Sequence, residues 1–319
     1  MHDGTLILPD GLREAGVRSI RPAWWFGETI TANSLGVLRT LGVDLAAQDK
    51  KTAFCAIEWD SGRALVEAPL VGRPSGDLID AMQAADWIGI DAPFGWPDAM
   101  VDAIHRYATE GNWPVDATPD RLRYRMTDRF VHEIIAEERD VSVRPLSVSS
   151  DRIAVCAWRC ADLLREFSDR TGWLLDRVGV PATGCSSNAA SGPPVGRGVI
   201  EVYPAGALAL WGFPFKGYKR TVSKSASAAL QQRAAILTAL EEAGGGWLVL
   251  TDDVRDACLQ DDDAFDSFIC ALIARATATD RTLLPLRDQR TTAEREGWIH
   301  LPAPDSIDRL GTWVSASAG

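Results

Sequence analysis

The sequence predicts a mixed α/β fold in which one sheet carries helices on its faces. Three short runs rich in apolar and small residues come first and are separated by turn signals, as in an antiparallel meander. Segments with strand and helix patterns then alternate, which is typical of parallel strands joined by helices. We therefore predict a three-strand meander followed by parallel strands, with a large helical and loop insertion.

The first elements follow from local patterns along the chain. The meander is predicted from residues 37–46, 52–59 and 63–71, with a turn at the Asp-Ser-Gly sequence of residues 60–62. Residues 77–85 have helical spacing, and residues 86–91 form a short buried-strand pattern. A helix begins at residues 96–98, since proline is tolerated and an acid favoured in a first turn. Its inner face is predicted to consist of Val101, Ile104 and Ala108.

The insertion is predicted over about residues 111–198, which begin with a polar, arginine-rich stretch. We expect a helix near residues 128–138. A second helix begins after Ser150 and continues to Phe167, because its apolar residues repeat at helical spacing. Residues 181–198 are rich in glycine, serine and proline, and long loops of this kind are often functional.

The second half of the chain returns to regular elements. A strand is predicted at residues 199–203, and helices at residues 204–210, about 230–240 and 263–278. Residues 37–314 are accordingly predicted to form a single domain. Residues 1–36 are predicted to be an irregular N-terminal extension, and residues 315–319 a frayed tail.

Composition excludes several classes of function. The chain has 33 basic and 44 acidic residues, a net charge of −11, so nucleic acid could bind only through local basic patches. No apolar run reaches the roughly 20 residues of a membrane span, and the N-terminus lacks a secretory pattern. The six cysteines form no CxxC pair, which argues against a zinc ribbon. We expect a cytoplasmic protein with reduced thiols that does not associate with membranes.

Four aspartates stand at positions that favour a shared site. Asp44 ends the first predicted strand and Asp91 the fourth, and each follows a glycine and a β-branched residue. If these strands are neighbours, both carboxylates converge at one edge of the sheet. Asp263 and Asp266 lie three residues apart, on one face at the start of a helix.

Such a cluster would need a counter-charge. At an effective dielectric constant near 20, two carboxylates about 5 Å apart repel by roughly 3 kcal/mol. Mg²⁺ or Mn²⁺ would relieve this repulsion, and two such ions can activate a water and stabilise a leaving oxygen in phosphodiester cleavage. In that arrangement Asp44 would bridge both ions, Asp91 and Asp266 would each hold one, and Asp263 would complete the set. The alternative is that these acids act separately, Asp44 and Asp91 as strand-end caps and Asp263 as a helix cap.

At these residues the chain resembles the DUF429 family of predicted RNase H-like nucleases. The matching segments are residues 42–46 (GVDLA), 90–95 (IDAPFG), 125–129 (RMTDR), 200–205 (IEVYPA), 218–219 (YK), 263–266 (DAFD) and 296–299 (EGWI). The resemblance implies an RNase H-like fold. It also implies that acids on the first strand, the fourth strand and a late helix hold metal, which corresponds to Asp44, Asp91, Asp263 and Asp266. The late pair resembles the arrangement in Holliday-junction resolvases of this fold.

Three further features are candidate parts of the site. Glu201 lies between apolar residues, and we expect it to be a catalytic residue that adds a fifth metal ligand or, alternatively, the partner of an arginine. The first basic patch either contacts phosphate or forms ion pairs with Glu133 and Glu137. It comprises Arg121, Arg123, Arg125 and Arg129.

The second basic patch is interleaved with aromatic residues, which either stack on bases or fill a core seam. It comprises Lys216, Lys219, Arg220 and Lys224, with Trp211, Phe213, Phe215 and Tyr218 between them. Within the two patches, Arg125, Arg129, Lys216 and Lys219 are the candidate substrate-binding residues.

These features together predict a metal-dependent nuclease acting on DNA or RNA with Mg²⁺ or Mn²⁺. One alternative is a nucleic-acid-binding module that kept the acids without turnover. Another is an ATP-dependent phosphotransferase of the actin or sugar-kinase type, which residues 45–49 disfavour because they lack glycine. The sequence leaves open the substrate, the cleavage mode and the oligomeric state.

Overall fold

The computed structural model of the chain describes residues 37–60, 62–173, 175, 177–179, 196–219 and 226–312. The predicted N-terminal extension, most of the loop at residues 181–198 and the predicted tail lie outside these residues. So do Arg220 and Lys224 of the second basic patch.

The described residues form a mixed, seven-stranded sheet. Its strands are β1 (Leu38–Asp44), β2 (Ala53–Asp60), β3 (Arg63–Val66), β4 (Leu70–Val71), β5 (Trp87–Asp91), β6 (Gly198–Val202) and β7 (Ile299–His300). The order is β3-β2-β1-β5-β6-β7, and β4 also pairs with β2. The first strands are antiparallel, whereas β1, β5, β6 and β7 run parallel. The predicted meander and parallel strands are confirmed, and the arrangement is consistent with an RNase H-like fold.

Helices cover both faces of this sheet. They are α1 (Ser75–Gln83), α2 (Asp98–Glu110), α3 (Pro119–Arg123), α4 (Met126–Arg139), α5 (Ala154–Thr171), α6 (Pro204–Leu210), α7 (Ala226–Gly244), α8 (Asp252–Gln260), α9 (Asp262–Ala278) and α10 (Arg290–Glu296). The sequence patterns did not indicate α3, α8, α10 or β7, which are all short elements. Helices α3 to α5 lie in the predicted insertion, and α5 packs with α1 in the core on one face of the sheet.

Helix α9 covers the other face and lies directly on β1 and β5. Two glycines make this close approach possible, because they pair with each other across the two strands. A Cβ atom on Gly42 would lie 2.0 Å from the carbonyl oxygen of Ser267, and one on Gly89 would lie 2.7 Å from that of Cys270. The start of α9 is thereby held beside the ends of both strands.

The predicted inner face of α2 is wrong. Val101 and Ile104 are 55% and 50% exposed, and the buried residue of this helix is Ala103. The apolar residues instead border an open groove together with Trp96 and Met100. Helix α2 meets α3 and α10 through its other side, so the spacing identified an amphipathic helix correctly but placed its apolar face wrongly.

Two further predictions concern thiols and membranes. The described cysteines, Cys55, Cys156, Cys160, Cys258 and Cys270, are free, and Cys185 lies outside the described residues. None of the described helices combines the length and apolar character that a membrane span needs.

Candidate active site

Asp44 and Asp91 are direct neighbours at the carboxyl ends of β1 and β5. The two strands are parallel, and the two aspartates are paired in register. Side chains alternate along a strand, so Asp44 lies on the same face as Gly42, and Asp91 on the same face as Gly89. Because α9 covers the two glycines, both carboxylates project to the side of the sheet that carries α9.

Helix α9 adds the third carboxylate. Asp266 lies in its first turns, next to the Ser267 carbonyl that contacts β1, and its side chain is fully buried. Asp44 and Asp91 are only partly buried. The structure therefore brings Asp44, Asp91 and Asp266 together in a cleft that solvent reaches from the strand ends.

Lys219 supplies positive charge to this cleft. Its ammonium group forms an ion pair with Asp266, while 47% of its side chain remains exposed. The negative charges of Asp266, Asp44 and Asp91 raise the pKa of Lys219 well above its usual value against the opposing effect of burial. The lysine therefore stays protonated at the centre of the acidic site.

The carboxylates show the electrostatic cost of their arrangement. Burial raises the pKa of Asp44 well above its usual value, and the charges of Asp266, Asp91 and Asp263 raise it further against the lowering effect of Lys219. Burial, again with Asp266, raises the pKa of Asp91 to about 7. Burial also raises the pKa of Asp266, although Lys219 lowers it. Burial is the largest cause of the raised pKa of each carboxylate, and the Lys219 ammonium offsets it only in part.

This cost predicts a pH-dependent stability. The pKa of Asp91 lies near 3.8 ordinarily and at about 7 here, so between these values the folded state holds a proton that the unfolded chain has lost. Stability should therefore fall as pH rises through this window. Between pH 5 and 7, we expect the free energy of unfolding of the metal-free wild type to fall by up to about 1.4 kcal/mol per pH unit relative to that of Asp91→Asn.

Urea unfolding in EDTA at several pH values measures this difference. Asp102→Asn, which removes an exposed carboxylate on α2, is the control. A difference between wild type and Asp91→Asn that is constant with pH would contradict the prediction.

Asp263 lies at the rim of the cleft. Its side chain is 25% exposed, and the Lys51 ammonium is 3.8 Å from its Oδ2 atom. Burial together with the neighbouring Asp261 and Asp262 raises the pKa of Asp263 to about 6. Its backbone N–H donates to Asp261, which caps α9. Asp263 thus faces solvent at the entrance, whereas Asp266 faces the interior.

Glu201 lies outside the aspartate cluster. It pairs in register with Ile90, the residue before Asp91, so its side chain lies on the opposite face of the sheet. There its carboxylate binds both terminal nitrogens of Arg125, at 2.8 and 2.7 Å. Of the two alternatives for Glu201, the structure shows the arginine partner.

Arg125 belongs to the interior rather than to a basic surface. It also contacts Asp128, at 2.9 Å, and all three side chains of this network are buried. Glu201 in addition accepts a hydrogen bond of 2.9 Å from the N–H of Phe94, in the connection that follows Asp91. The network thereby fixes the backbone just beyond Asp91 from behind the sheet.

The remaining basic residues are separated in space. Arg129 forms an ion pair with Asp120, so the arginine patch does form ion pairs, but not with the predicted Glu133 and Glu137. Lys216 donates to the carbonyl of Ser142 and lies over the Phe215 ring. Of the interleaved aromatic residues, Trp211 and Tyr218 are buried in the core, and Phe213 and Phe215 pack against it.

The comparisons with known proteins identify the family. The model of the family described as "Protein of unknown function (DUF429)" matches residues 42–290. The chain belongs to the DUF429 family. The matched range contains every candidate site residue, from Asp44 to Asp266. No curated protein and no solved structure matched the chain.

The sequence patterns of this DUF429 protein did not identify two residues that lie near the site. Lys51 reaches Asp263 from the turn between β1 and β2, and no pattern in the sequence connects the two. Glu296 accepts hydrogen bonds from the N–H groups of Asp98 and Met126. Glu296 begins the EGWI segment, which indicated the family resemblance but did not predict these hydrogen bonds.

The chemistry of the aspartates fits a hard divalent cation. As the side chains stand, the described residues contain no ready-made group of three or more His, Cys, Asp or Glu ligands. Both carboxylate oxygens of Asp266 are nevertheless buried, and neither accepts a hydrogen bond of regular geometry from the described residues. The charged group that contacts this carboxylate is the Lys219 ammonium. Carboxylate oxygens are the ligands that Mg²⁺ and Mn²⁺ prefer. Asp44, Asp91 and Asp266 are thus suited to hold such an ion.

Proposed function

We propose that this DUF429 protein is a divalent-cation-dependent nuclease that hydrolyses phosphodiester bonds. One observation carries the proposal. Asp44 and Asp91 are paired in register at the open ends of two parallel strands, and α9 adds the buried Asp266 from the same side. Their raised pKa values indicate a site that is under-compensated without a bound cation.

In this proposal each residue has a distinct task. Asp44, Asp91 and Asp266 would hold Mg²⁺ or Mn²⁺, which lowers the pKa of bound water and neutralises charge on the phosphate. Lys219, which already reaches the cluster, would contact the scissile phosphate. Asp263 lies at the rim, where burial raises its pKa to about 6, and it would donate a proton to a leaving oxygen.

The charge distribution favours a short or locally unpaired nucleic acid over a long duplex. The chain carries a net charge of −11, and Arg125 and Arg129 are both engaged in ion pairs within the protein. Among the described residues, Lys51 and Lys219 form ion pairs with the acidic site itself, the first with Asp263 and the second with Asp266. Two lysines suffice for one or two phosphates, whereas an extended duplex needs more contacts.

The decisive experiment is cleavage by the purified protein with Mn²⁺ or Mg²⁺. Labelled single-stranded and double-stranded DNA and RNA and a four-way junction are the substrates. We expect cleavage of at least one form, its loss in EDTA, and its reduction to background in Asp44→Asn, because that change removes a central ligand. Asp102→Asn should cleave like the wild type.

Three outcomes would contradict the proposal. Nucleic-acid binding without cleavage that is insensitive to EDTA would indicate a binding module. A thermal shift with ATP and Mg²⁺ but none with metal alone would favour a phosphotransferase. Cleavage that persists unchanged in Asp44→Asn would assign the activity to a contaminant.

A further inference from the structure

Lys219 differs from the other lysines near the cleft. Its ammonium forms an ion pair with a fully buried carboxylate, Asp266. Lys51 instead contacts the partly exposed Asp263 from a side chain that is 58% exposed. Lys216, three residues before Lys219, contacts a backbone carbonyl and an aromatic ring. Of these three lysines, Lys219 therefore delivers its charge to the interior of the site.

The backbone that carries Lys219 is anchored to the same layer of the fold as Asp266. Tyr218 is buried, and its ring packs 5.2 Å from the ring of Phe265, the residue before Asp266. The buried Arg233 of α7 donates hydrogen bonds to the carbonyls of Tyr218 and Leu259. The backbone next to Lys219 is thus tied to the layer that contains Asp266, and the ammonium forms an ion pair with the Asp266 carboxylate.

Charge balance restricts what else the cleft can hold. Asp44, Asp91 and Asp266 carry three negative charges when ionised. One ammonium and one divalent ion neutralise them, whereas two divalent ions beside the ammonium would leave an excess of two positive charges in a partly buried site. Such an excess is costly at short range in a medium of reduced dielectric constant.

We propose that the Lys219 ammonium is the second cation of the site, so that each chain binds one divalent ion and not two. This inference rests on the proposed function, because it assumes that the aspartates hold an ion. It adds that the lysine takes over the charge-neutralising task of a second ion. Lys219 then limits the number of divalent ions that the site binds, and it also contacts the substrate.

Mn²⁺ titration of the whole protein tests the stoichiometry directly. Calorimetry and electron paramagnetic resonance, which counts free Mn²⁺ and detects coupling between adjacent ions, are the readouts and need no activity. We expect one Mn²⁺ per wild-type chain and a second, coupled Mn²⁺ in Lys219→Met. Lys216→Met should bind one ion, as the wild type does, because Lys216 contacts the Ser142 carbonyl and the Phe215 ring instead of the acidic site. Lys219→Gln serves as a second variant if circular dichroism shows that Lys219→Met is unfolded.

The failures can be told apart. Two ions in the wild type, or one ion with unchanged affinity in both Lys219 variants, would overturn this inference and leave the proposed metal-dependent function standing. No Mn²⁺ binding by the wild type or any variant would overturn both.

Discussion

Replacing Arg125 with methionine is expected to lower the free energy of unfolding by about 3–5 kcal/mol. The change leaves Asp128 and Glu201 buried with unpaired charges, because the guanidinium is bound to both. The guanidinium also donates to the carbonyl of Glu296, which is 171 positions away in the sequence. Loss of the network would also free the Phe94 region, whose N–H is held by Glu201.

Urea unfolding monitored by circular dichroism measures the effect. Arg129→Met is the matched control, because Arg129 lies four residues away on the same segment and its ion pair with Asp120 is at the surface. It should cost no more than about 1 kcal/mol. Arg125→Lys keeps the charge but loses the forked geometry, and it should be intermediate. If the free energies of unfolding of Arg125→Met and Arg129→Met differ by less than about 1 kcal/mol, the network is not a stabilising feature.

Replacing Gly42 with alanine is expected to destabilise the fold by at least about 3 kcal/mol. The new Cβ atom would lie 2.0 Å from the Ser267 carbonyl oxygen and 2.2 Å from the Ala271 nitrogen. Both are backbone atoms in the interior of α9, so no side chain can turn away to relieve the clash. The helix would have to move off the sheet, and Asp266 would move with it.

Chemical unfolding of a glycine series tests this packing. Gly89→Ala, where the nearest atom is 2.7 Å away, should be destabilised less than Gly42→Ala. Gly76→Ala is the control, because a Cβ there meets nothing within 4 Å and the position lies in α1. It should be neutral or stabilising by up to about 1 kcal/mol. Equal stability of Gly42→Ala and Gly76→Ala would show that α9 does not rest on β1 as described.

The two predictions concern opposite faces of the same sheet. On one face, α9 rests on Gly42 and Gly89 and brings Asp266 to the strand ends. On the other, Arg125 and Glu201 hold the connection that follows Asp91. Several segments that carry the family resemblance therefore converge around Asp91 although they are far apart in sequence.

Much of the sheet was predictable because its signals are local. Short apolar runs with turn residues between them predicted the meander, and the alternation of strand and helix patterns predicted the parallel strands. Two glycines that each precede a strand-terminal aspartate by two residues were visible as a repeated pattern. The register of β1 against β5 then placed the aspartates together, as the proposed shared site requires.

The helix faces were less predictable. The spacing of Val101 and Ile104 is that of an amphipathic helix, but the direction of its apolar face depends on what lies beside it. The short elements α3, α10 and β7 contain too few residues for a periodic pattern. Their positions are set by contacts with elements that come far earlier or later in the chain.

The sequence by itself determined the class of fold, the strand order of the meander and the four aspartates worth considering, since alternation and strand ends are properties of neighbouring residues. Only the tertiary structure decided which charges meet. The chain has 33 basic and 44 acidic side chains, and the sequence does not indicate which of them pair. The structure pairs Lys219 with Asp266, and Arg125 with Glu201 and Asp128. Charge pairing depends on distance through space and on burial, and spacing along the chain specifies neither for residues on different elements.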